Sequence, residues 1–139
     1  MYTVTHGKQQ TLSFAENFSK QLKPGDVIAF KGGLGAGKTA FCEGLAAGLG
    51  CTDTVSSPTF SIVNVYGGGR LMLAHFDMYR VQSYNDLCTC GFYDYIDEGA
   101  VLAVEWSENI AEFLEKPYYE ISIEITGDEE RKITVSRLT

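Results

Sequence analysis

Eight consecutive residues, Gly32-Gly33-Leu34-Gly35-Ala36-Gly37-Lys38-Thr39, match G-x-x-x-x-G-K-[ST] in full. The residue types suit one task. Glycines let successive backbone N–H groups point into one concavity, and a helix beginning directly behind them adds its dipole, so phosphate oxygens meet oriented donors. Gly33, Leu34, Gly35, Ala36 and Gly37 thus read as the cradle, Lys38 as the cation that reaches the β- and γ-phosphates, and Thr39 as a hydroxyl that ligates Mg²⁺. Such a site also needs carboxylates, and two acids end apolar runs: Asp77 after Leu71–Phe76 and Glu105 after Val101–Val104. Ligands of parallel sheets gather at the carboxyl edge, so both acids are candidates to hold Mg²⁺, directly or through water, or to orient an attacking water. The structural alternative is that either acid caps the next helix or pairs with Arg80. No N-K-x-D guanine motif occurs, which makes ATP the expected nucleotide.

These residues require a strand, a loop and a helix in that order, and the flanking pattern supplies them. Val27-Ile28-Ala29-Phe30 is an unbroken apolar run, as expected of a strand covered on both faces. A helix from Lys38 to about Leu49 places Phe41, Leu45, Ala46 and Leu49 on its inner side and stops at Gly50. Upstream, Gln9 to Leu22 predicts an amphipathic helix with Leu12, Ala15, Phe18 and Leu22 on one face; Ser13 and Glu16 have capping-box spacing, and an earlier start also fits the pattern. Ser61–Tyr66 and Leu71–Phe76 predict an antiparallel hairpin across Gly67-Gly68-Gly69. Ser83–Thr89 is weakly helical, Val101–Val104 is a buried strand, and Ser107–Leu114 is a short helix. Tyr119–Thr126 and Lys132–Leu138 form a final hairpin, with Ile121, Ile123 and Ile125 on one face. The sum is a single α/β domain over residues 1–139, with a mixed, mostly parallel sheet flanked by helices.

Composition narrows the rest. The chain has 139 residues, of which 45% are hydrophobic, enough to bury a core without disulfides or structural metal. Eleven basic against 18 acidic residues give a net charge of −7, the wrong sign for gripping a phosphate backbone unaided, so a nucleic-acid role calls for a basic partner and direct DNA binding is not expected. No apolar run approaches the length of a membrane span and Met1–His6 lacks the apolar core of a signal peptide, so the expected compartment is the cytoplasm. Cys42, Cys51, Cys88 and Cys90 are too irregularly spaced for zinc knuckles or a disulfide framework and read as small packed residues.

The P-loop followed by Ser57-Pro58-Thr59-Phe60, His75-Phe76-Asp77-Met78-Tyr79-Arg80 and Glu105-Trp106-Ser107 resembles the TsaE (YjeE/YdiB) family of small P-loop ATPases. The resemblance covers nearly the whole chain. It implies an ATPase subunit required for threonylcarbamoyl modification of the adenosine next to the anticodon in tRNA, working with TsaB and TsaD. By this resemblance Lys38 and Thr39 are the phosphate and Mg²⁺ residues, and Asp77 and Glu105 belong to the metal and water side of the site. Thr59 lies in a switch-like loop that senses the γ-phosphate, Trp106 is at the site rim, and Thr11 or its neighbours contact the base. Arg80 either steadies phosphates or pairs with Asp77, while His75 reads as a packed strand residue rather than a base. Two stretches depart from the family: Gly33 replaces a frequent acid at a variable P-loop position, and Cys88-Thr89-Cys90-Gly91 replaces an acid and an apolar residue before glycine, in a region open to a partner. A small-molecule P-loop kinase is the alternative, although the chain offers only Arg70, Arg80, Arg131 and Arg137 toward the Arg-rich lid such kinases carry.

Overall fold

The computed structural model describes residues 1–31, 37–53 and 62–139. In chain order the elements are β1 (Tyr2–His6), α1 (Lys8–Ser19), β2 (Val27–Lys31), α2 (Lys38–Leu49), β3 (Val63–Tyr66), β4 (Leu73–Asp77), α3 (Tyr84–Thr89), α4 (Phe92–Asp97), β5 (Val101–Glu105), a 3-10 segment (Ser107–Phe113), β6 (Tyr118–Ile125) and β7 (Glu130–Leu138). Among the described residues seven strands make one sheet in the order β1-β7-β6-β2-β5-β4-β3. Its middle is parallel, since β2 pairs with both β5 and β6, and β4 with β5. Both edges are antiparallel, through β3–β4 on one side and β6–β7 and β1–β7 on the other. No helix among the described residues is long and apolar enough to cross a membrane.

The sheet carries two apolar layers. Side chains alternate along β4 and β5, so Leu73, Val101 and Ala103 join the layer beneath α1 and α2, while Ala74, Phe76, Leu102 and Val104 join the layer beneath α3, α4 and the 3-10 segment. Helix α2 runs over the predicted residues, and Gly50 ends it in the left-handed conformation at φ 81°. Gly44 and Gly48 face α1 at very short range. A Cβ on Gly44 would lie 2.5 Å from the Leu12 carbonyl oxygen and 2.6 Å from Ala15 Cβ, and one on Gly48 would lie 2.7 Å from the Glu16 carbonyl oxygen. Close approach explains two glycines inside a helix, each of which costs about 1 kcal/mol relative to alanine.

Three expectations need correction. Helix α1 starts at Lys8 behind Gly7, so Ser13 and Glu16 lie in its interior and form no capping box. Its buried stripe is Thr11, Ala15, Phe18 and Ser19, continued by Leu22, with Leu12 only half-buried, because the close contact with α2 rotates the small residues inward. Ile125 is 59% exposed rather than packed with Ile121 and Ile123, since it lies beyond the helical cover at the end of β6. The strand β1 and helix α4 were not anticipated. β1 has little apolar alternation, with Tyr2 and Val4 exposed and Thr5 buried, and six residues of α4 are too few for a helical period to register.

The glycine turn between β3 and β4 does more than reverse the chain. It rests on the end of α2, where Arg70 N–H donates to the Leu49 carbonyl at 2.7 Å. The Arg70 guanidinium then reaches the Leu22 and Ser19 carbonyls at 3.2 and 3.0 Å, supplying donors to the carboxyl end of α1. Ser83 caps α3 by accepting from Asp86 N–H at 3.1 Å, and the Asp86 carboxylate accepts from Gln82 N–H, a reciprocal cap. All four cysteines are free, with Cys42 buried and Cys88 exposed. Burial pushes the Cys51 and Cys90 thiols up from their ordinary range, which lowers their reactivity.

Candidate functional site

Parallel pairing brings the ends of β2, β4 and β5 to one edge of the sheet. Helix α2 begins at that edge, with Gly37 at φ 100° ahead of Lys38, and a Cβ on Gly37 would lie 3.8 Å from Ile123 of β6. Lys38 is 7% exposed and Thr39 half-buried, so both stand within the first turn of the helix, where the dipole favours anions. Gly32, Gly33, Leu34, Gly35 and Ala36 lie outside the described residues, as do Ser57-Pro58-Thr59-Phe60.

Asp77 and Glu105 are Cα partners in the β4–β5 register, which sets the two candidate carboxylates side by side at the same edge. They have different partners. The Asp77 carboxylate accepts from Tyr79 N–H at 2.9 Å, fixing the turn that leaves β4. Glu105 is tied to His75, whose Nε2 lies 2.6 Å from Glu105 Oε2; the imidazole is fully buried and the Glu105 side chain is 16% exposed. An ionised carboxylate only accepts, so Nε2 carries the proton and donates. Burial alone would pull the imidazole pKa down, but the nearby Cys42 sulfur and the Glu105 carboxylate outweigh it and the pKa is pushed up to about 11. His75 Nδ1 has no hydrogen-bond partner among the described residues. His75 does pack in its strand, and it also holds one of the two carboxylates, a role its sequence position did not suggest.

The block Glu105-Trp106-Ser107 forms a sharp exit from β5. Trp106 has φ 57°, a left-handed conformation uncommon for a bulky residue, and it is the one non-glycine residue with positive φ among the described residues. That twist turns the Ser107 hydroxyl inward to donate to the Phe30 carbonyl at 2.9 Å, next to the start of the P-loop. The Trp106 ring is half-buried and meets the exposed Tyr79 edge-to-face at 4.9 Å between centroids. Trp106 and Arg80 both line an open cavity of about 590 Å³ with Tyr79, Gln82 and Asn109, and Asn109 locks its floor by donating to the Met78 and Tyr79 carbonyls. Arg80 is exposed, and no ion pair joins it to Asp77 among the described residues.

Thr11 belongs to a separate part of the same edge. Its hydroxyl is buried against Thr5 Oγ1 at 2.8 Å, and it lines a cavity of about 320 Å³ with Lys8, Gly37, Ala40, Glu129 and Arg131. Gly37 therefore joins the P-loop to a hollow between α1 and the β6–β7 turn. The structure thus sets Gly37 and Ala40 beside this hollow, Asp77 beside Glu105, and Arg80 beside Trp106.

Comparison with known proteins places the chain as a whole. Residues 5–133 match the family described as threonylcarbamoyl adenosine biosynthesis protein TsaE. The chain is 41% identical over 130 residues to the tRNA threonylcarbamoyladenosine biosynthesis protein TsaE of Bacillus subtilis (strain 168), covering 94% of this chain and 81% of that one. It is 37% identical over 136 residues to the protein of the same name from Treponema pallidum (strain Nichols), covering 98% and 100%. The crystal structure of Bacillus subtilis YdiB has the same fold, with a TM-score of 0.81 and 34% identity, over 100% of this chain and 86% of that one. A full-length match in sequence and in fold has one consequence: the chain belongs to the TsaE family.

Proposed function

We propose that the protein is a Mg²⁺-dependent, ATP-binding and ATP-hydrolysing subunit required for threonylcarbamoyl modification of the adenosine next to the anticodon in tRNA. It acts in the cytoplasm with TsaB and TsaD-like proteins, the latter carrying out the transfer, and meets tRNA through that assembly. The observation that supports this most directly is the meeting at one sheet edge of the helix that starts with Lys38 and Thr39 and two strands that end on Asp77 and Glu105 in register. A P-loop without acids would bind phosphate and do little else.

In this reading the Lys38 ammonium opposes charge on the β- and γ-phosphates, where negative charge concentrates as the terminal bond breaks. The donor set suits Mg²⁺, a hard cation held by one or two carboxylates together with phosphate oxygens and water. Thr39, Asp77 and Glu105 would hold it, and when bound it would neutralise phosphate charge. Glu105 has one oxygen committed to His75, which leaves Oε1 to face the site and orient water. The hollow beside Gly37 that Thr11 lines has room for the nucleoside end of ATP. Arg80 and Trp106 stand on the β4–β5 side of this site, and Thr59 is assigned the sensing of the γ-phosphate. A net charge of −7 suits docking on a basic partner surface better than on bare RNA.

Phosphate release from ATP, measured with and without TsaB and TsaD and with a panel of small acceptors, tests the reading. Slow release alone, stimulated by the partners and lost in Lys38→Ala, is the expected outcome. Glu105→Gln should lower single-turnover hydrolysis more than nucleotide affinity, whereas Thr39→Ala should weaken the Mg²⁺ dependence of binding. Phosphorylation of an acceptor would replace the ATPase by a kinase, and binding without release by a nucleotide-dependent docking module. Unchanged hydrolysis in folded Lys38→Ala would overturn the P-loop assignment.

A further inference from the structure

We propose that His75 is a positioning residue for Glu105, holding that carboxylate in one orientation at the mouth of the nucleotide site. This rests on the ATPase reading above for its effect on turnover, but the geometry stands without it. His75 and Asp77 are two apart on β4 and therefore share the face that carries α2, as do Ala103 and Glu105 on β5. The residue directly across from His75 is Ala103, whose methyl leaves space for an imidazole beside it. Glu105 uses that space, its carboxylate lying back along the strand pair to take the Nε2 proton at 2.6 Å.

Three features distinguish this bond from an ordinary surface contact. It is short and charge-assisted, which makes it stronger than a neutral hydrogen bond. The imidazole is fully buried in a layer whose other β4 and β5 members are Leu73, Val101 and Ala103, so it has no access to water as a substitute partner. Its far nitrogen has no hydrogen-bond partner among the described residues; the Cys42 sulfur lies near the ring, and Glu105 is the carboxylate that takes its Nε2 proton. Packing fixes the ring and the ring fixes the carboxylate. A glutamate at a strand end otherwise samples several rotamers, and only some of them direct Oε1 toward the start of α2. Partners of this kind, one step removed from the reacting groups, change activity by about 10–100-fold when removed.

The test separates positioning from mere packing. His75→Ala should lower the single-turnover rate of ATP hydrolysis by about 10–100-fold while changing nucleotide affinity by less than about 2-fold. His75→Gln, which places an amide donor near the Nε2 position, should recover most of the rate. In a Glu105→Gln background, His75→Ala should add little further loss, because the group it orients is already disabled. A second readout needs no turnover: the side-chain carboxyl carbon of Glu105, followed by ¹³C NMR in the nucleotide-free protein, should give one displaced resonance in wild type, an averaged one in His75→Ala, and a displaced one again in His75→Gln. A wild-type rate in folded His75→Ala, full additivity with Glu105→Gln, or a Glu105 resonance indifferent to His75 would each overturn the proposal. If wild-type protein hydrolyses no ATP with or without partners, the ATPase reading fails, and the NMR comparison still decides whether His75 orients Glu105.

Discussion

On one face of the sheet two twelve-residue helices touch through Gly44, Gly48, Ala15 and Ser19; on the other, two six-residue helices and a 3-10 segment bury Leu87, Phe92 and Ile110. The α1–α2 face encloses polar groups, among them Thr11, Ser19, Lys38 and His75. The buried members of the opposite layer are mostly apolar, with Ser107 at the start of the 3-10 segment as a buried polar residue. The difference teaches where function resides. Polar groups are costly to bury without partners, so their concentration on one face sets apart the side that carries the candidate site, while the other face supplies cohesion. The two faces should also fail differently, one by crowding and the other by cavities.

The largest effect is expected on the cohesive face. Phe92 packs against Phe76 with ring centroids 5.7 Å apart, and Phe92→Ala should cost about 3–5 kcal/mol in urea unfolding while leaving the nucleotide affinity of the folded fraction intact. A loss below about 1 kcal/mol would show that this layer is not the close-packed one described. Crowding the other face comes next. Gly44→Ala adds a methyl against the Leu12 carbonyl and Ala15, so it should destabilise by about 1–3 kcal/mol despite the better helix propensity of alanine. It should also weaken Mg²⁺-nucleotide binding, because α2 carries Lys38 and Thr39; a stabilised protein with unchanged binding would break the comparison.

Smaller still is the cap of α3. Ser83→Ala removes the acceptor for Asp86 N–H and should cost about 1 kcal/mol with no change in nucleotide binding. The last effect is spectroscopic and needs no mutation. Trp106 is the sole tryptophan and lies next to Glu105 at the sheet edge, so saturating Mg²⁺-ADP or an ATP analogue should shift its emission. A flat signal under verified binding would detach the exit from β5 from the nucleotide site and leave the metal role to Asp77.

What was legible in the sequence follows from local chemistry. The P-loop spacing, the bounds of α2, the glycine stop at Gly50, the antiparallel β3–β4 pair and the final hairpin each depend on residues close together in the chain. Asp77 and Glu105 were visible as acids at strand ends for the same reason. The start of α1 was not legible, because Gly7 initiates it without a side-chain cap and the Ser13–Glu16 spacing imitates one.

By itself the sequence determined a P-loop α/β domain and the residue types of its candidate site, since glycine freedom, apolar runs and turn residues act over a few positions. Only the tertiary structure decided that Asp77 and Glu105 stand in register, that His75 reaches Glu105 diagonally across β4 and β5, and that Gly44 and Gly48 admit α1. Strand register and helix approach depend on how distant segments stack. His75 is 30 residues from Glu105 in the chain, and no local pattern encodes a contact that exists only once two parallel strands are laid side by side.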